Sequence, residues 1–355
     1  MSDININMLI LGQTGSGKST LINYIYGKKV VETGMGLPVT SKGDFTRVKI
    51  QSPLKPSITH TFYDSWGLES NKAEEWKKII KEKLTSTLSY KDMIFGIIYC
   101  LSYSQDRIHD FEISMIKELL NRGYKIIIAL TNADNSGYET KKIAFREKLN
   151  KELNDYLQYF DTVDICAEAV QKLGQKTARR PFGKEELFKQ LEKDIISNYS
   201  KVLVANIKTW YKRSKEKTNN FYSEQFKKIE KFYEFDFNST LEKQAEEEAN
   251  RLQEAVKNLI KEIFDKYNSA IKEAEDFYSR ISGSYNNLKL PLWHIILLDS
   301  IPLVGFIILF FSRKSFAKKQ LIESLNQSIK MINDEIDKAL IFTKEFGEKL
   351  FQGKI

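Results

Sequence analysis

The sequence is poor in cysteine, histidine and proline, with two, three and six of these residues in a chain of 355. Two cysteines far apart, Cys100 and Cys166, cannot form the framework of a disulfide-stapled secreted domain, so we expect a reducing, cytoplasmic compartment. The six prolines and 17 glycines are too few for collagen or for a Pro/Gly-rich low-complexity chain. The sequence also has no cluster of histidine, cysteine and carboxylate residues with metal-site spacing, so a dedicated protein metal centre is not expected.

Positive charge is not concentrated in any part of the chain. The net charge is +8, and the excess of lysine and arginine is shared by the first 200 residues and the remainder. Because nucleic-acid-binding proteins usually gather their charge on one face or in an arm, we expect no nucleic-acid partner. Met1–Asn7 lack the charged start and apolar run of a secretory signal, and none is expected. Apolar residues make up 42% of the chain, enough to bury the cores of about two domains.

Strand and helix patterns alternate from the N-terminus to about residue 200. A short link separates the second and third predicted strands, which should therefore form an antiparallel hairpin, whereas helix-length connections suit parallel pairing of the others. The pattern predicts an α/β domain at residues 1–200, with a mostly parallel six-stranded sheet and helices on both faces. The predicted strands are Asn5–Leu11, Gly43–Gln51, Ile58–Asp64, Met93–Cys100, Lys125–Thr131 and Thr162–Cys166, and the predicted helices begin near Ser19, Lys72, Asp106, Glu139 and Lys184.

The rest of the chain is predicted to be mainly helical. Apolar residues recur every 3.6 residues or so in two stretches, Leu241–Ile281 and Leu321–Leu340. We expect these two long helices to pack as an antiparallel stalk or as an ordinary helical bundle. The predicted segments are a first helical part at 201–289, an apolar part at 290–312, and an amphipathic helix at 313–355 that returns to the helical domain.

A glycine-rich segment lies between the first predicted strand and the first predicted helix. It matches the phosphate-loop pattern GxxxxGK[ST] in full, and main-chain N–H groups of such a loop surround a β-phosphate at a helix N-terminus. We expect the Lys18 ammonium to face the β- and γ-phosphates and the Ser19 hydroxyl to bind Mg²⁺. The residues predicted to bind nucleotide here are Gly12, Gln13, Thr14, Gly15, Ser16, Gly17, Lys18, Ser19 and Thr20.

Residues further along the chain complete the predicted phosphate and magnesium site. Asp64 ends a predicted strand, where its carboxylate can hold magnesium through water, and the main-chain N–H of Gly67 can sense the γ-phosphate. Thr40 has a hydroxyl that can close over magnesium when the γ-phosphate is present, with Thr33 and Ser41 as alternatives. The predicted catalytic residues are Lys18, Thr40 and Gly67, and the predicted magnesium ligands are Ser19, Thr40 and Asp64.

Two later strand ends occupy positions that can read a guanine base. The Asp134 carboxylate follows the fifth predicted strand and can accept hydrogen bonds from the guanine N1–H and exocyclic amine, which adenine does not offer together. The sixth predicted strand ends in Cys166 and Ala167. We therefore predict GTP or GDP with Mg²⁺ as ligands. The predicted base-binding residues are Thr131, Asn132, Asp134, Cys166 and Ala167.

The order of these motifs resembles the Era and septin-like branch of the P-loop GTPases. Gly12–Ser19 is similar to the loop of the septin and Toc-like (paraseptin) families. Thr33–Thr40 and Tyr63–Glu69 resemble a bacterial and fungal group of Era-like GTPases with C-terminal hydrophobic domains. The resemblance covers residues 1 to about 200, and it implies a Ras-like fold and a GTP–magnesium switch. The helical part resembles dynamin-like and immunity-related GTPases in layout only.

Two residues depart from the family pattern. The guanine motif usually carries a lysine whose stem covers the base, and Asn132 stands in its place, which predicts weaker affinity or base selectivity. Leu68 stands where Ras-type enzymes have the glutamine that orients the attacking water. That group is therefore expected elsewhere, with Thr14, Glu69 or a residue of a facing subunit as candidates.

One long hydrophobic run is present, Leu290–Ser312, and it carries a single formal charge at Asp299. Its length suits a spanning helix, but Asp299 and Pro302 near the middle favour a shallow membrane hairpin with both basic flanks on the cytoplasmic side. A single span and a buried core of the helical bundle are the alternatives.

Together these features predict a GTPase whose nucleotide state controls a helical domain that contacts membranes. We expect a peripheral or monotopic protein at the cytoplasmic membrane face, able to form homodimers through its GTPase domain. One alternative is a septin-like assembly or membrane scaffold that nucleotide stabilises with negligible turnover. The other is an RNA- or ribosome-associated Era-like GTPase.

Overall fold

In a computed structural model, the described part of the chain comprises residues 4–31, 45–65, 67, 73–85, 87–89, 91–133, 139–168, 180–193, 195–234, 241–282 and 314–351. Several predicted features lie outside these residues: Thr33, Thr40, Ser41, Leu68, Glu69, Asp134 and the apolar segment 290–312. The chain divides into two compact units, one of Met1–Ala205 with Arg280–Gly283 and one of Asn206–Ser279 with Ser284–Ile355.

The first unit is built on a six-stranded mixed sheet with the order β2-β3-β1-β4-β5-β6. Only β2 is antiparallel to its neighbour, β3, and the other strand pairs described are parallel. The predicted α/β class and hairpin are therefore confirmed. The central strands are apolar and almost fully buried, because helices cover both faces of a parallel sheet. The strands are β1 (Ile4–Gly12), β2 (Phe45–Gln51), β3 (Ile58–Ser65), β4 (Ile94–Ser102), β5 (Lys125–Thr131) and β6 (Phe160–Asp164).

Five helices follow the predicted order, with one displaced start. The helix expected near Asp106 begins at Asp110, because the Glu112 carboxylate accepts a hydrogen bond from the His109 main-chain N–H at 2.9 Å and so caps the helix there. The helices are α1 (Lys18–Tyr26), α2 (Ala73–Thr85), α3 (Asp110–Asn121), α4 (Glu139–Glu152) and α5 (Lys184–Glu192).

The last predicted strand also differs in its bounds. It begins two residues earlier than expected and ends at Asp164. Cys166, expected inside the strand, instead exchanges main-chain hydrogen bonds with Phe182 at 3.1 and 2.9 Å. The start of β6 was not predicted because Asp161 and Thr162 interrupt the apolar pattern after Phe160.

Three long helices, α6 (Ile195–Glu234), α7 (Leu241–Ser282) and α8 (Lys314–Phe351), make up the described helical part of the chain. α6 runs antiparallel to α8, since Lys215 pairs with Asp337 at 3.0 Å and Lys318 pairs with Glu230 at 2.6 Å. No helix of the described residues is long and apolar enough to cross a membrane.

α6 also runs antiparallel to α7. The Trp210 indole N–H donates to the Ile263 carbonyl at 3.2 Å, so the middle parts of the two helices lie beside each other. Only six residues separate Glu234 from Leu241, too few to span the length of a helix, so the end of α6 and the start of α7 lie at the same end of the bundle. It follows that α7 and α8 are parallel, and the antiparallel stalk expected for them is wrong. An apolar stripe defines which face of a helix is buried, but it carries no information about the direction of the neighbouring helix.

Candidate nucleotide-binding site

The predicted phosphate loop connects β1 to α1 and lies tightly against β4. Gly12 has a φ of 144°, and a Cβ atom there would come within 2.5 Å of the Cys100 carbonyl oxygen and 2.6 Å of Ser16 Oγ. Gly15 and Gly17 also have positive φ, at 79° and 88°. Such backbone is open to glycine and strained for other residues, which is why the loop can curl around a ligand.

Lys18 lies in the first turn of α1 with its ammonium group inside the curl of the loop. Its Nζ atom donates to the carbonyl oxygens of Gly12 at 3.1 Å and Gln13 at 2.9 Å. Burial lowers the pKa of Lys18, while the nearby Asp64 carboxylate raises it. The side chain is thus held at the place from which a phosphate-loop lysine reaches phosphate groups.

Ser19 and Asp64 come together beside Lys18, as expected for a magnesium site. The Ser19 hydroxyl donates to Asp64 Oδ2 at 2.9 Å. Asp64 Oδ1 is buried without a hydrogen-bond partner. Burial raises the pKa of Asp64, opposed by the Lys18 charge and the Ser19 hydrogen bond.

A hydroxyl beside a carboxylate with an unpaired oxygen fits a Mg²⁺ ion, which takes one or two protein oxygens and completes its shell with water and substrate phosphates. Within the described ranges no group of three or more histidine, cysteine or acidic residues could hold a metal alone.

Gly67 lies directly against the phosphate loop. A Cβ atom at this position would come within 2.1 Å of Thr14 Oγ1 and 2.5 Å of Thr14 Cα. The Thr14 hydroxyl is buried without a hydrogen-bond partner. The main chain of Gly67 thus lies against the loop, and a side chain at this position would clash with Thr14. The catalytic role assigned to it remains a prediction.

The turn after β5 is bound to the phosphate loop. The Thr131 hydroxyl donates to the Ser16 carbonyl at 2.8 Å, and Asn132 adopts a left-handed conformation with a φ of 57°. The Asn132 side chain donates to Ser102 Oγ at 2.7 Å. Asn132 is therefore held by the end of β4, and its amide is engaged there. An asparagine is among the few residues that adopt this conformation readily.

Cys166 and Ala167 follow β6 beside that turn. The Ala133 main-chain N–H donates to the Ile165 carbonyl at 3.1 Å, and the Ile165 N–H donates to the Leu130 carbonyl at 2.8 Å. The two predicted base-reading segments therefore lie next to each other. The structure brings together Gly12, Gln13, Thr14, Gly15, Ser16, Gly17, Lys18, Ser19 and Thr20 with Asp64, Gly67, Thr131, Asn132, Cys166 and Ala167, while Thr40 and Asp134 lie outside the described residues.

Two polar clusters are absent from the sequence predictions. Gln105 in the turn after β4 donates from Nε2 to Gln13 Oε1 at 3.1 Å. His60 on β3 contacts Glu192 at the end of α5 at 3.2 Å, both buried, and Ser52 donates to the same Glu192 oxygen. No local sequence signal marks either cluster, because each joins residues far apart in the chain.

Comparison with known proteins finds similarity to GTPases over part of the chain. Residues 7–133 match the family model described as "50S ribosome-binding GTPase". GTPase Der of Vibrio cholerae serotype O1 is 26% identical over 168 residues, which are 46% of this chain and 31% of that protein. The chain thus matches about a third of the length of the curated relatives.

Solved structures that match part of the chain include Toc33 from Arabidopsis thaliana in complex with Mg²⁺ and GMPPNP. It is 18% identical with a TM-score of 0.42 and covers 53% of this chain and 83% of its own. Era in complex with MgGDPNP and 16S ribosomal RNA is 14% identical with a TM-score of 0.37, covering 53% of this chain and 56% of its own. Residues 7–133 are thus similar to a GTPase family, and the phosphate loop and mixed α/β sheet in this part of the chain are those expected of a domain that binds GTP with Mg²⁺.

Proposed function

We propose that the whole chain is a magnesium-dependent GTPase that uses its nucleotide state to control its helical part. The observation that carries this proposal is the Ser19 hydroxyl at 2.9 Å from the Asp64 carboxylate, next to a Lys18 ammonium enclosed by the phosphate loop. These three groups supply what phosphoryl transfer needs most, namely positioning and positive charge at the phosphates.

Each residue has a separate role in this proposal. Lys18 places a positive charge at the β- and γ-phosphates, and Ser19 and Asp64 hold magnesium. When bound, the ion neutralises phosphate charge and helps to orient the phosphates for attack by water. Gly67 offers a main-chain N–H to the γ-phosphate. Thr14 is our candidate for orienting the attacking water, because its buried hydroxyl has no partner and lies against Gly67.

The test is phosphate release by the purified full chain with GTP or ATP, with and without Mg²⁺. We expect release with GTP and Mg²⁺, and loss of tight GTP binding in Lys18→Ala. The matched control is Lys49→Ala, which removes an exposed lysine from β2 and should leave both quantities unchanged. Equal turnover of ATP, or full nucleotide affinity in Lys18→Ala, would contradict the proposal.

We also propose that the chain contacts the cytoplasmic face of a membrane through Leu290–Ser312. The support is compositional, since this run carries one formal charge between the basic residues Lys289 and Arg313. Liposome flotation with GDP and with a non-hydrolysable GTP analogue tests membrane contact and its dependence on nucleotide together. A protein that never floats with liposomes under either condition would refute this part.

A second candidate is a ribosome-associated GTPase. The observation in its favour is the description of the family matched by residues 7–133, which names binding to the 50S ribosome. Salt-sensitive co-sedimentation with ribosomal subunits would support this candidate over the membrane one.

A further inference from the structure

Gln105 occupies the turn between β4 and α3, and hydrogen bonds fix both its main chain and its side chain. Its main-chain N–H donates to the Ser102 carbonyl at 3.0 Å, and its carbonyl accepts from Lys141 Nζ at 2.8 Å. Its side-chain Oε1 accepts from the Ser102 N–H at 3.3 Å, and its Nε2 donates to Gln13 Oε1 at 3.1 Å. The amide of Gln105 therefore has a defined direction, toward the second residue of the phosphate loop.

Gln13 passes this constraint to Lys18. The Gln13 carbonyl accepts hydrogen bonds from Lys18 Nζ at 2.9 Å and from the Ser16 N–H at 3.1 Å. A rotation of the Gln13 peptide would move this carbonyl and break both hydrogen bonds. The hydrogen bond from Gln105 to the Gln13 side chain therefore also limits where the Lys18 ammonium lies.

The same turn is connected to the base-reading side of the site. Ser102 Oγ accepts from Asn132 Nδ2 at 2.7 Å, while the Ser102 N–H is held by Gln105. A continuous set of hydrogen bonds thus runs from Asn132 through Ser102 and Gln105 to Gln13. It connects the phosphate loop to the base-reading turn. The connection starts at Asn132, the position where the family pattern usually has a lysine.

We infer that Gln105 is a positioning residue for nucleotide binding, which holds Gln13 and thereby Lys18 in the arrangement that receives the phosphates. This inference rests on the proposed GTPase function. Gln105 touches no reacting atom, so its removal should change nucleotide release without removing any ligand of phosphate or magnesium.

The experiment measures release of fluorescent GDP and GTP analogues from wild-type protein, Gln105→Met, Gln13→Met and the double variant. Methionine is close to glutamine in length and has no amide. Each change therefore breaks the Gln105–Gln13 hydrogen bond, and Gln105→Met also removes the acceptor of the Ser102 N–H. We expect each single variant to release nucleotide about tenfold faster, the effect of one or two hydrogen bonds. The double variant should be no faster than Gln105→Met, because the contact that Gln13→Met removes is already lost in it.

The control is Gln51→Met, which removes an amide hydrogen bond to the Pro56 carbonyl on the β2 side of the sheet. It should leave release rates unchanged. The melting temperature of nucleotide-free Gln105→Met should stay close to that of wild type, since a purely structural role would lower it.

Release from Gln105→Met within twofold of wild type, or multiplicative effects in the double variant, would overturn the inference and leave the GTPase proposal intact. If Gln105→Met does not fold, Gln13→Met is the test variant. Unchanged nucleotide release from Gln13→Met would then overturn the inference. Wild-type protein that binds no guanine nucleotide would overturn the proposed function and this inference together.

Discussion

Replacing Glu112 by glutamine should stabilise the sheet-containing unit, and the gain should depend on pH. Glu112 is fully buried, and one of its carboxylate oxygens accepts a hydrogen bond from the His109 N–H. Burial raises its pKa from 4.5 to about 7, although the His109 hydrogen bond, Gln105 and Lys148 act in the opposite direction. The folded state therefore holds the proton more tightly than the unfolded state does.

The sign and size of the effect follow from this difference. Well below pH 4.5 the Glu112 carboxyl is protonated in both the folded and the unfolded state, so its ionisation does not change the free energy of unfolding. As pH rises toward 7 the unfolded state loses its proton first, so the free energy of unfolding falls. Above about pH 7 the folded state is ionised as well, and the free energy of unfolding falls no further through this group. A shift from 4.5 to about 7 corresponds to roughly 3 kcal/mol at 1.36 kcal/mol per pKa unit. Glu112→Gln stays neutral and can still accept from His109, so this loss should disappear.

Urea unfolding at pH 5 and pH 8 is the assay, read by deuterium uptake in α3 peptides so that the two units are not confused. We expect Glu112→Gln to exceed wild type by less than about 1 kcal/mol at pH 5 and by about 3 kcal/mol at pH 8. Glu118→Gln is the matched control on the same helix; it breaks a partly exposed pair with Arg122 at 2.9 Å, worth at most about 0.5 kcal/mol. An equal gain at both pH values, or a variant less stable at pH 8, would refute the reasoning.

Three further substitutions test the nucleotide site. Gly67→Ala places a methyl group within 2.1 Å of Thr14 Oγ1, so we expect phosphate release per bound GTP to fall by at least tenfold; normal turnover would show that the contact can yield. Ser19→Asn should favour GDP over GTP by disturbing magnesium, and titrations with equal affinities and normal magnesium dependence would count against the assignment. Asp134→Asn should lose guanine and gain xanthine nucleotides, since an amide can donate to the 2-oxo group; retained GTP preference would place base reading elsewhere.

The α/β part of the molecule was largely readable from the sequence because its signals are local. Three local features each indicate a local conformation. They are the short apolar strands, the short link between β2 and β3, and the glycine-rich loop. Lys18 and Ser19 were predicted from the phosphate-loop pattern, and Asp64 from its place at the end of a predicted strand downstream of that loop.

The contacts of Gln105 and the direction of α8 could not be read in this way. Gln105 and Gln13 are 92 positions apart, and two polar side chains that pair over that distance leave no periodic pattern. α8 was recognised as a helix by its apolar stripe, but its orientation depends on which residues of α6 and α7 it meets. Only paired contacts such as Lys215 with Asp337 define that orientation.

The parallel order of α7 and α8 sets a minimum length for any connection between them. The Tyr267 hydroxyl donates to the Ala339 carbonyl at 3.0 Å, which places Lys314 level with the first turn of α7. The end of α7 therefore lies about 60 Å along the bundle from the start of α8, at 1.5 Å per residue. A turn of about four residues, sufficient for antiparallel neighbours, cannot join them. A deletion variant that keeps this three-helix arrangement needs a linker of at least about 18 extended residues, and a shorter one should drive exchange of α8 between two chains.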